Sequence, residues 1–401
     1  MIEDSRPLRL GLALSGGGSR AIAFHLGCLR ALNEIGLLNR IDVISSVSGG
    51  SVLAGLYCAR AETFDSFERR IRSLLRAGLQ DRIFGELLSP LGLRAFGSFL
   101  LNSASALPMA LIGALASLTA DWRVKAKLRR WLRARRRRPV TRTDFLERVL
   151  RDADLIGEVT MAELPAGRPR LVVNAAELAT QTAFRFTTDG SGSWRTGPVV
   201  GVDFKLSEAV TASAAFPLLL PAIDREYDFQ FGDKIVRRRV LLTDGGIYDN
   251  LGLQAFDPNR PAAYAFGVTH VDIIIACIAE SGVPTGEDFP LFLGARARAA
   301  FSTAHRQLHR MGMGMLHEWR ASGRILAFIM PYFGQDDTKL PSVEGDPDPP
   351  PLGDFRDYPI DFAAMPEDVI DALVARGEAQ TRRLAKAYLN PLPQKQAAEK
   401  P

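Results

Sequence analysis

The sequence predicts an α/β fold with a mostly parallel central sheet. Short apolar runs typical of strands alternate with longer segments whose apolar residues recur at helical spacing. Residues 271–278 and 325–330 are strongly apolar, as strands buried on both faces of a sheet are. The 401-residue chain is 47% hydrophobic and 24% charged, which excludes a disordered chain, a coiled coil and a collagen-like fibre.

The first two predicted strands each end in a glycine-rich turn. Residues 9–14 form a predicted strand, and an amphipathic helix is expected over residues 20–35. Residues 41–47 form the second predicted strand, which turns into a helix of small residues over 52–61. Thr63 is expected to cap the helix that follows.

The alternation of helices and strands resumes after residue 140. Helices are expected over 141–152, over 291–317 and from Pro366 onward, and Ser207 is expected to cap a short helix. The Pro- and Asp-rich residues 341–354 are expected to form a surface loop. The remaining strands are predicted at residues 171–176, 183–187, 240–243, 271–278 and 325–330.

The first candidate site is the glycine-rich junction after the first strand. Gly16, Gly17 and Gly18 let the backbone approach a ligand closely, and the next helix presents free N–H groups. Such a loop suits an anion, either a phosphate or a developing oxyanion. A tight turn without a ligand is one alternative. A dinucleotide fingerprint of Gly16, Gly18 and Ala21 is another, but its only candidate acid, Asp42, lies at the beginning of the second strand.

The second candidate is Ser48, where the second strand turns sharply into its helix. This geometry lifts a hydroxyl clear of the sheet and places it at a helix N-terminus. Gly50 lets the turn close, and Ser46 stands where the G-x-S-x-G pattern has its first glycine. The alternative is a helix cap rich in serine and glycine.

The third candidate is Asp244, which ends an apolar strand and is followed by Gly245 and Gly246. A carboxylate in this position is positioned rather than solvated, and the alternative is an ordinary Asp-Gly turn. A serine nucleophile needs a base, and we expect Asp244 to be that base.

The histidines are weaker candidates for the base. None lies in the late loop where a Ser-Asp-His hydrolase carries its histidine. His305 and His309 are four residues apart on an Arg-rich helix, where a solvated face is favoured over a metal site. His25 is expected to be packed in the first helix. The five histidines are His25, His270, His305, His309 and His317.

Together, the three motifs resemble those of the patatin-like phospholipase family. That family is marked in chain order by a glycine-rich loop with Arg or Lys, a G-x-S-x-G elbow, and Asp-Gly-Gly or Asp-Gly-Ala. The corresponding positions here are residues 16–20, 46–50 and 244–246, with a further similar block at residues 212–217. The resemblance covers roughly residues 8–255.

The resemblance implies a three-layer α/β/α patatin-like fold and a lipid acyl hydrolase with a Ser–Asp dyad. Ser48 would attack the acyl ester and form an acyl-enzyme, and Asp244 would accept the serine proton and later help activate water. Arg20 would orient the loop or meet a head-group phosphate. No metal or cofactor is implied. Backbone N–H groups would hold the oxyanion at Gly16, Gly17, Gly18 and Gly49, with support from Ser46, Gly50, Gly245 and Gly246.

Two departures from the family pattern keep a second function open. Ser46 replaces the first glycine of the elbow, and Ala21 stands where the glycine loop usually ends in glycine. The alternative is therefore a patatin-fold, membrane-associated scaffold or binding protein with weak or no hydrolase activity.

The resemblance and the composition divide the chain into five segments. Two parts of a catalytic domain flank an apolar and basic helical insertion, and an acidic loop, a helix and a disordered tail follow. The expected boundaries are 8–94, 95–140, 141–335, 336–390 and 391–401.

The insertion predicts contact with an anionic membrane surface. Residues 95–120 carry no charge, and residues 121–138 contain ten Lys or Arg and one acid. A single crossing would separate Ser48 from Asp244, so an interfacial or re-entrant element is favoured over an integral span. A buried helical hairpin with a solvated basic helix is the alternative. The residues expected at the lipid surface are Trp122, Arg129, Arg130, Trp131, Arg133, Arg135, Arg136, Arg137 and Arg138.

The remaining expectations concern the compartment and the partners. Three cysteines in distant positions form no disulfide framework or zinc-finger spacing, and no signal peptide is seen in residues 1–9. We therefore expect a protein at the cytoplasmic face of the membrane. The basic run lacks the aromatic or groove-reading residues of a nucleic-acid-binding module, so nucleic acid is not an expected partner. Protein partners are not predicted.

Overall fold

The computed structural model describes residues 7–86, 89, 92, 140–217, 220–282 and 290–392. The expected insertion at 95–140, except its last residue, and residues 393–401 of the expected tail lie outside these ranges.

The described helices are α1 Gly18–Glu34, α2 Gly49–Cys58, α3 Phe64–Ala77, α4 Leu79–Gly85, α5 Arg142–Leu150, α6 Leu206–Ala214, α7 Gly246–Asp249, α8 Leu293–Ala321 and α9 Glu367–Tyr388. Short 3-10 helices lie at Leu38–Arg40, Leu253–Phe256, Ala262–Tyr264, Asp337–Lys339 and Gly353–Asp357.

The described strands form one continuous sheet. They are β1 Leu10–Leu14, β2 Ile41–Ser46, β3 Arg170–Glu177, β4 Thr182–Thr187, β5 Gly190–Ser193, β6 Gly197–Val200, β7 Ile223–Phe231, β8 Lys234–Asp244, β9 Ile273–Cys277 and β10 Ala327–Ile329. Their spatial order is β10-β9-β1-β2-β3-β4-β5-β6-β7-β8, and β3 also pairs with β8. Because β3 pairs with both β4 and β8, strands β3 to β8 close into a six-stranded antiparallel ring.

The expectation of a mostly parallel central sheet is wrong. Four of the ten pairings among the described strands are parallel, those joining β10, β9, β1, β2 and β3. The other six, all within the ring, are antiparallel. The sequence therefore predicted the parallel half and three strands of the ring, β3, β4 and the end of β8, but missed β5, β6, β7 and the antiparallel closure.

The missed strands lack the apolar runs that mark the parallel half. β5 and β6 have four residues each and contain glycine or proline. β7 and the first part of β8 are largely polar, and their cross-strand neighbours carry opposite charges. Arg239 forms an ion pair with Asp224, and Arg237 lies 3.6 Å from Asp228. Such pairs stabilise a solvated sheet surface, which gives no continuous hydrophobic signal.

Helices cover both faces of the parallel half. Along β9, Ile273, Ile275 and Cys277 pack with residues of α1, α2 and α9 on one face. The intervening residues Ile274 and Ala276 pack on the other face with the C-terminal half of α8. This alternation follows from the two-residue period of side chains along a strand.

Helix α8 differs between its two halves. The C-terminal half buries Leu316 and Trp319 against the sheet, whereas most residues of the N-terminal half are exposed. The helix has 29 residues but contains five arginines. Among the described helices, none is both long enough and apolar enough to cross a bilayer.

Helices α1 and α9 cross in backbone contact. A Cβ added at Gly27 of α1 would lie 1.9 Å from the carbonyl oxygen of Val374, and one at Gly377 of α9 would lie 2.1 Å from that of Phe24. Real Cβ atoms do not approach backbone oxygens this closely, so any side chain at either glycine forces the helices apart.

Replacing Gly27 with Ala should destabilise the fold, although Ala is the better helix former. Separating the two helices should cost about 1–3 kcal/mol or more in free energy of unfolding. The matched control is Gly314→Ala in α8, where an added Cβ meets no atom within 4 Å. That control should gain up to about 1 kcal/mol. Urea unfolding of both variants measures the difference, and a Gly27→Ala variant as stable as the wild type would contradict the close crossing.

Candidate active site

Ser48 lies at a strained turn between β2 and α2. Its φ of 51° and ψ of −120° lie in a region that residues with a side chain rarely adopt. The neighbouring glycines permit the turn. A Cβ at Gly49 would lie 2.3 Å from the Gly18 carbonyl oxygen, and one at Gly50 would lie 2.4 Å from that of Leu14. The turn therefore requires glycine at both positions.

Hydrogen bonds from a neighbouring helix and strand hold this turn. The Ser48 backbone N–H donates to Ser213 Oγ at 3.0 Å, and the Ser213 hydroxyl donates to the Asn174 carbonyl oxygen at 2.6 Å. The Asn174 amide donates to the Ser46 carbonyl oxygen at 3.0 Å. Neither Ser213 nor Asn174 was singled out from the sequence, although Ser213 belongs to the family-like block at residues 212–217.

Ser46 fits at the position where the family pattern has glycine. Its side chain is fully buried, and its hydroxyl donates to the Val172 carbonyl oxygen at 3.4 Å and accepts from Ser51 Oγ at 3.0 Å. A buried hydroxyl with two partners carries little desolvation cost. The serine is therefore accommodated at the end of β2 without disturbing the turn.

Asp244 ends β8 beside β3, where it pairs with Ala175. The Gly246 N–H donates to Asp244 Oδ1 at 2.7 Å, and the Asp244 N–H donates to the Ala215 carbonyl oxygen at 3.1 Å. A Cβ at Gly245 would lie 2.2 Å from the Asn174 carbonyl oxygen, which explains the glycine there. The carboxylate is thus fixed in place by its own turn.

Burial raises the pKa of Asp244 to about 6, because little water remains to solvate the charge. A side-chain hydrogen bond from Ser48 and the backbone N–H of Gly246 oppose this rise. Ser48 and Asp244 are therefore brought together, with the carboxylate in the ionised form at neutral pH and more basic than an exposed aspartate.

The glycine-rich loop lies against Ser48. A Cβ at Gly16 would come within 3.2 Å of Ser48 Cβ. Gly17 and Gly18 have φ values of 147° and 59°, which favour glycine. The Gly16 N–H already donates to the Asn250 carbonyl oxygen at 3.1 Å. Within the described part of the chain, no group accepts a hydrogen bond from the N–H of Gly17, Gly18 or Gly49.

Arg20 connects the loop to two other segments. Its guanidinium donates to the carbonyl oxygens of Ala279 at 3.1 Å and Tyr358 at 3.3 Å, and it lies over the Phe333 ring. Burial lowers its pKa to about 10, an effect that Glu280 opposes. Arg20 is therefore held from several sides while it lines the cavity beside Ser48.

Ser48 and Asp244 line one cavity of about 800 Å³. Its walls are formed by the glycine loop, by residues after β9, by the N-terminal half of α8 and by residues 356–362. The aromatic and apolar lining residues are Phe216, Phe301, Ile360 and Phe362, and the basic ones include Arg20, Arg306 and Arg356. Acidic residues also line it, namely Asp244, Glu280, Asp357 and Asp361, so the cavity combines apolar walls with charges of both signs.

The expectation of a solvated face at His305 and His309 is wrong, because both line this cavity. His309 is 2% exposed. Its Nδ1 contacts the Glu280 carboxylate, and its Nε2 lies 2.6 Å from Asn250 Nδ2. Burial and the neighbouring His309 lower the pKa of His305 to about 4, so its ring is neutral at physiological pH. The i, i+4 spacing on an amphipathic helix was the signal available for one buried face.

Side chains that could hold a metal lie elsewhere. In the described residues, ligand atoms of His25, Cys28 and Cys277 all lie within 4.8 Å of one another. All three are buried, and none lines the cavity. His25 is packed as expected, with Nε2 3.0 Å from the Ser15 carbonyl oxygen.

Asp42, the acid of the dinucleotide alternative, instead accepts a hydrogen bond from the Leu10 N–H at 2.7 Å.

The family model for patatin-like phospholipases matches residues 12–257, a span that includes the glycine loop, Ser48 and Asp244. The chain belongs to the patatin-like phospholipase family. The resemblance inferred from the three motifs is confirmed, as is the expectation of a chain from a phospholipase family.

Two fungal relatives of this patatin-like protein carry the name Lysophospholipase NTE1. The protein from Mycosarcoma maydis is 40% identical over 83 residues, which are 21% of this chain and 4% of that protein. The protein from Cryptococcus neoformans is 37% identical over 82 residues, 20% of this chain and 5% of that protein. The matched stretch is therefore about a fifth of this chain and a small part of each relative.

A solved structure shares the fold of this patatin-like chain. Human GIVD cytosolic phospholipase A2 superposes with a TM-score of 0.53 at 14% sequence identity. The superposition covers 96% of this chain and 60% of the human chain. At this identity the similarity concerns the fold alone.

Replacing Asp244 with Asn should stabilise the fold at neutral pH. The pKa of about 6 in the folded state exceeds the usual 3.8, so stability linked to this group is present at low pH and is lost as pH rises through about 6. Asn cannot ionise, and its Oδ1 can still accept from the Gly246 N–H. We expect a gain of about 1–3 kcal/mol in free energy of unfolding at pH 8.

Urea unfolding at pH 8 and pH 5 tests this expectation. The gain should be smaller at pH 5, where part of the wild-type carboxyl is already protonated. An equal gain at both pH values would show that ionisation of Asp244 is not its cause.

Proposed function

We propose that the protein is a serine lipid acyl hydrolase of the phospholipase A type that cleaves acyl esters through a Ser48–Asp244 dyad and an acyl-enzyme. The observation that carries the proposal is a strained serine hydrogen-bonded to a buried carboxylate in a cavity with apolar walls. Family membership supports the same reaction class.

In the first half of the reaction, Ser48 Oγ attacks the ester carbonyl carbon while Asp244 takes the hydroxyl proton. The negative charge that develops on the carbonyl oxygen needs preorganised donors. The free N–H groups of Gly17, Gly18 and Gly49 suit that role. Gly16 is removed from the expected set, because its N–H is already bonded to Asn250.

Asp244 carries a proton in both halves of the reaction, first to the departing alcohol and later from the attacking water. Asp244 returns its proton to the departing alcohol, which leaves the acyl group on Ser48. It then accepts a proton from water as the water attacks the acyl-enzyme, and it returns that proton to Ser48 Oγ as the bond to the acyl group breaks and the fatty acid leaves. A carboxyl whose pKa is about 6 suits both steps, because a general base works best when its pKa lies near the working pH.

The cavity supports a phospholipid as the substrate. Phe216, Phe301 and Ile360 offer apolar surface to an acyl chain. Arg356, which also lines the cavity, offers positive charge to a phosphate, whereas Arg20 and Arg306 are already engaged by carbonyl oxygens and by Glu280. The relatives named as lysophospholipases make single-chain phospholipids the first substrates to test. The reaction as proposed uses no metal or cofactor.

The alternative of an inactive scaffold rests on Ser46 and Ala21. The buried hydroxyl of Ser46 has two hydrogen-bond partners, and the methyl group of Ala21 lies 3.2 Å from where a Cβ at Gly17 would be. Neither residue displaces Ser48, Asp244 or a free loop N–H. These contacts favour the hydrolase.

Membrane association is a second part of the proposal. The residues expected to contact anionic lipid, from Trp122 to Arg138, lie outside the described ranges. Their support is the charge pattern, because each basic residue near an anionic bilayer contributes about 1 kcal/mol. We propose peripheral attachment at the cytoplasmic face.

Replacing Ser48 with Ala should abolish ester hydrolysis and labelling by a fluorophosphonate. Asp244→Asn should lower kcat for a lysophospholipid by about a hundredfold or more, since it removes the general base. The matched control is His270→Gln, an exposed residue outside the cavity, which should retain wild-type rates. Circular dichroism checks folding in each variant. Fluorophosphonate labelling that survives in Ser48→Ala would refute the proposed nucleophile.

Replacing Arg135, Arg136, Arg137 and Arg138 with Gln should release much of the protein from anionic vesicles. Screening weakens such attraction, with a Debye length of about 10 Å at 0.1 M salt, so binding of the wild type should also fall with salt. Hydrolysis of a soluble short-chain ester should persist, since Ser48 and Asp244 are unchanged. Retention that neither salt nor the four substitutions reduces would contradict peripheral attachment.

A further inference from the structure

Three large apolar side chains are exposed in succession before helix α8 and at its start. Leu291, Phe292 and Leu293 are 76%, 78% and 84% exposed. Ile360, on the loop before α9, is also an exposed apolar residue. We call these four residues the apolar rim. Single exposed apolar residues are ordinary on protein surfaces, but three in succession mark a contact site for another apolar phase.

The apolar rim continues into the catalytic cavity. Gly294, the next residue after Leu293, lines the cavity, and so does Phe301 further along α8. Ile360 belongs to both the rim and the cavity wall. The ring of Phe301 contacts that of Phe216 at a centroid distance of 6.0 Å. Phe216 follows Ala215, whose carbonyl oxygen accepts a hydrogen bond from the Asp244 N–H at 3.1 Å. Apolar surface thus extends from the exposed rim toward the dyad.

Because Ser48 is buried, a lipid substrate needs a continuous apolar surface between the bilayer and the cavity. Ser48 is 7% exposed, so an ester group within a flat bilayer cannot reach it unless the lipid rises into the cavity. An acyl chain that leaves the bilayer loses apolar surroundings unless protein replaces them along the path. A cavity mouth edged by apolar side chains at the membrane supplies that replacement.

The helix that begins at the rim is basic, which favours an anionic lipid surface as the partner of Leu291, Phe292 and Leu293. Residues 290–317 contain four arginines and no acidic residue. Arg296, three residues after Leu293, donates to the Pro290 carbonyl oxygen at 3.1 Å and forms no ion pair with a carboxylate of the described ranges. Apolar side chains beside unpaired basic ones are typical of helices that lie in the interface of anionic membranes.

We infer that the apolar rim inserts into the interfacial region of a bilayer containing anionic lipid and opens the catalytic cavity directly onto it. The substrate's route rests on the proposed function. The insertion itself does not, and it is separate from the basic segment at residues 121–138. Insertion of the rim orients the molecule, whereas the basic segment only attracts it.

A single label at Phe292 tests insertion directly. The three native cysteines are buried, so Phe292→Cys provides an accessible thiol for a polarity-sensitive fluorophore. Phosphatidylcholine vesicles containing a minority of phosphatidylglycerol should shift its emission to the blue. The matched control is Phe231→Cys at the β7–β8 turn, where the native side chain is 56% exposed, and its label should not shift.

Two outcomes of the labelling would overturn the inference. Emission from the Phe292 site that vesicles leave unchanged would show that the rim stays in water. Emission that is already blue without vesicles would show that another part of this protein, or a second copy of it, covers the rim. The measurement is then repeated at low protein concentration. Emission that shifts to the red on dilution indicates a second copy, and emission that stays blue indicates another part of the same chain.

A triple variant tests the effect on binding and turnover. Leu291→Ser, Phe292→Ser and Leu293→Ser together should reduce the vesicle partition coefficient by about tenfold or more, because partition scales with buried apolar area. The ratio of vesicle-lipid turnover to soluble-ester turnover should fall in parallel. The control variant, Phe231→Ser with Ile235→Ser, removes two other exposed apolar residues and should change neither quantity.

The same measurements separate this inference from the proposed function. A wild type that binds vesicles through the rim but hydrolyses no ester would refute the proposed hydrolase and leave the rim's role intact. A triple variant that partitions like the wild type would refute the rim's role, whatever the enzymatic activity. Equal losses of binding in the triple variant and the control would show that the rim has no special part.

Discussion

The hydrogen bond from the Ser48 N–H to Ser213 Oγ is the contact on which the site depends. Ser48 has a backbone conformation that is unfavourable for a residue with a side chain, and such strain persists only where the surroundings fix it. Ser213 supplies the fixing group from α6 and is itself anchored to Asn174 of β3. The nucleophile is thus positioned by a strand and a helix that follow it in the chain by more than a hundred residues.

Strand β3 explains why the two catalytic candidates meet. It belongs to the parallel half through β2, where Val173 pairs with Ser46, and to the antiparallel ring through β8, where Ala175 pairs with Asp244. Two positions along one strand therefore set the separation between the serine turn and the aspartate turn. The antiparallel closure of β8 on β3, which the sequence did not predict, is what brings Asp244 to Ser48.

The sequence predicted the features that depend on local chemistry. Glycines at the turns around Ser48 and Asp244 reflect backbone contacts that any Cβ would prevent, so the motifs were visible in the residues themselves. The closure of β8 on β3 and the burial of His309 depend on packing between distant segments. The charged residues of β7 and β8 leave no apolar strand pattern in the sequence, so the closed ring was not predicted. The arginines of α8 indicated a solvated helix face, so its part in the cavity wall was not predicted either.

Closure of the ring also affects how the sheet ends. An open sheet has two edge strands whose unpaired N–H and C=O groups can recruit strands from other molecules. Here the last three residues of β8 pair with β3, which covers the end of the strand that carries Asp244. Residues 234–240 of β8 and the three-residue strand β10 keep one unpaired side. The sheet edge beside Ser48 and Asp244 is thereby closed to strands from other molecules, and the longer unpaired stretch of β8 carries the charged residues Lys234, Arg237, Arg238 and Arg239, which oppose edge-to-edge pairing.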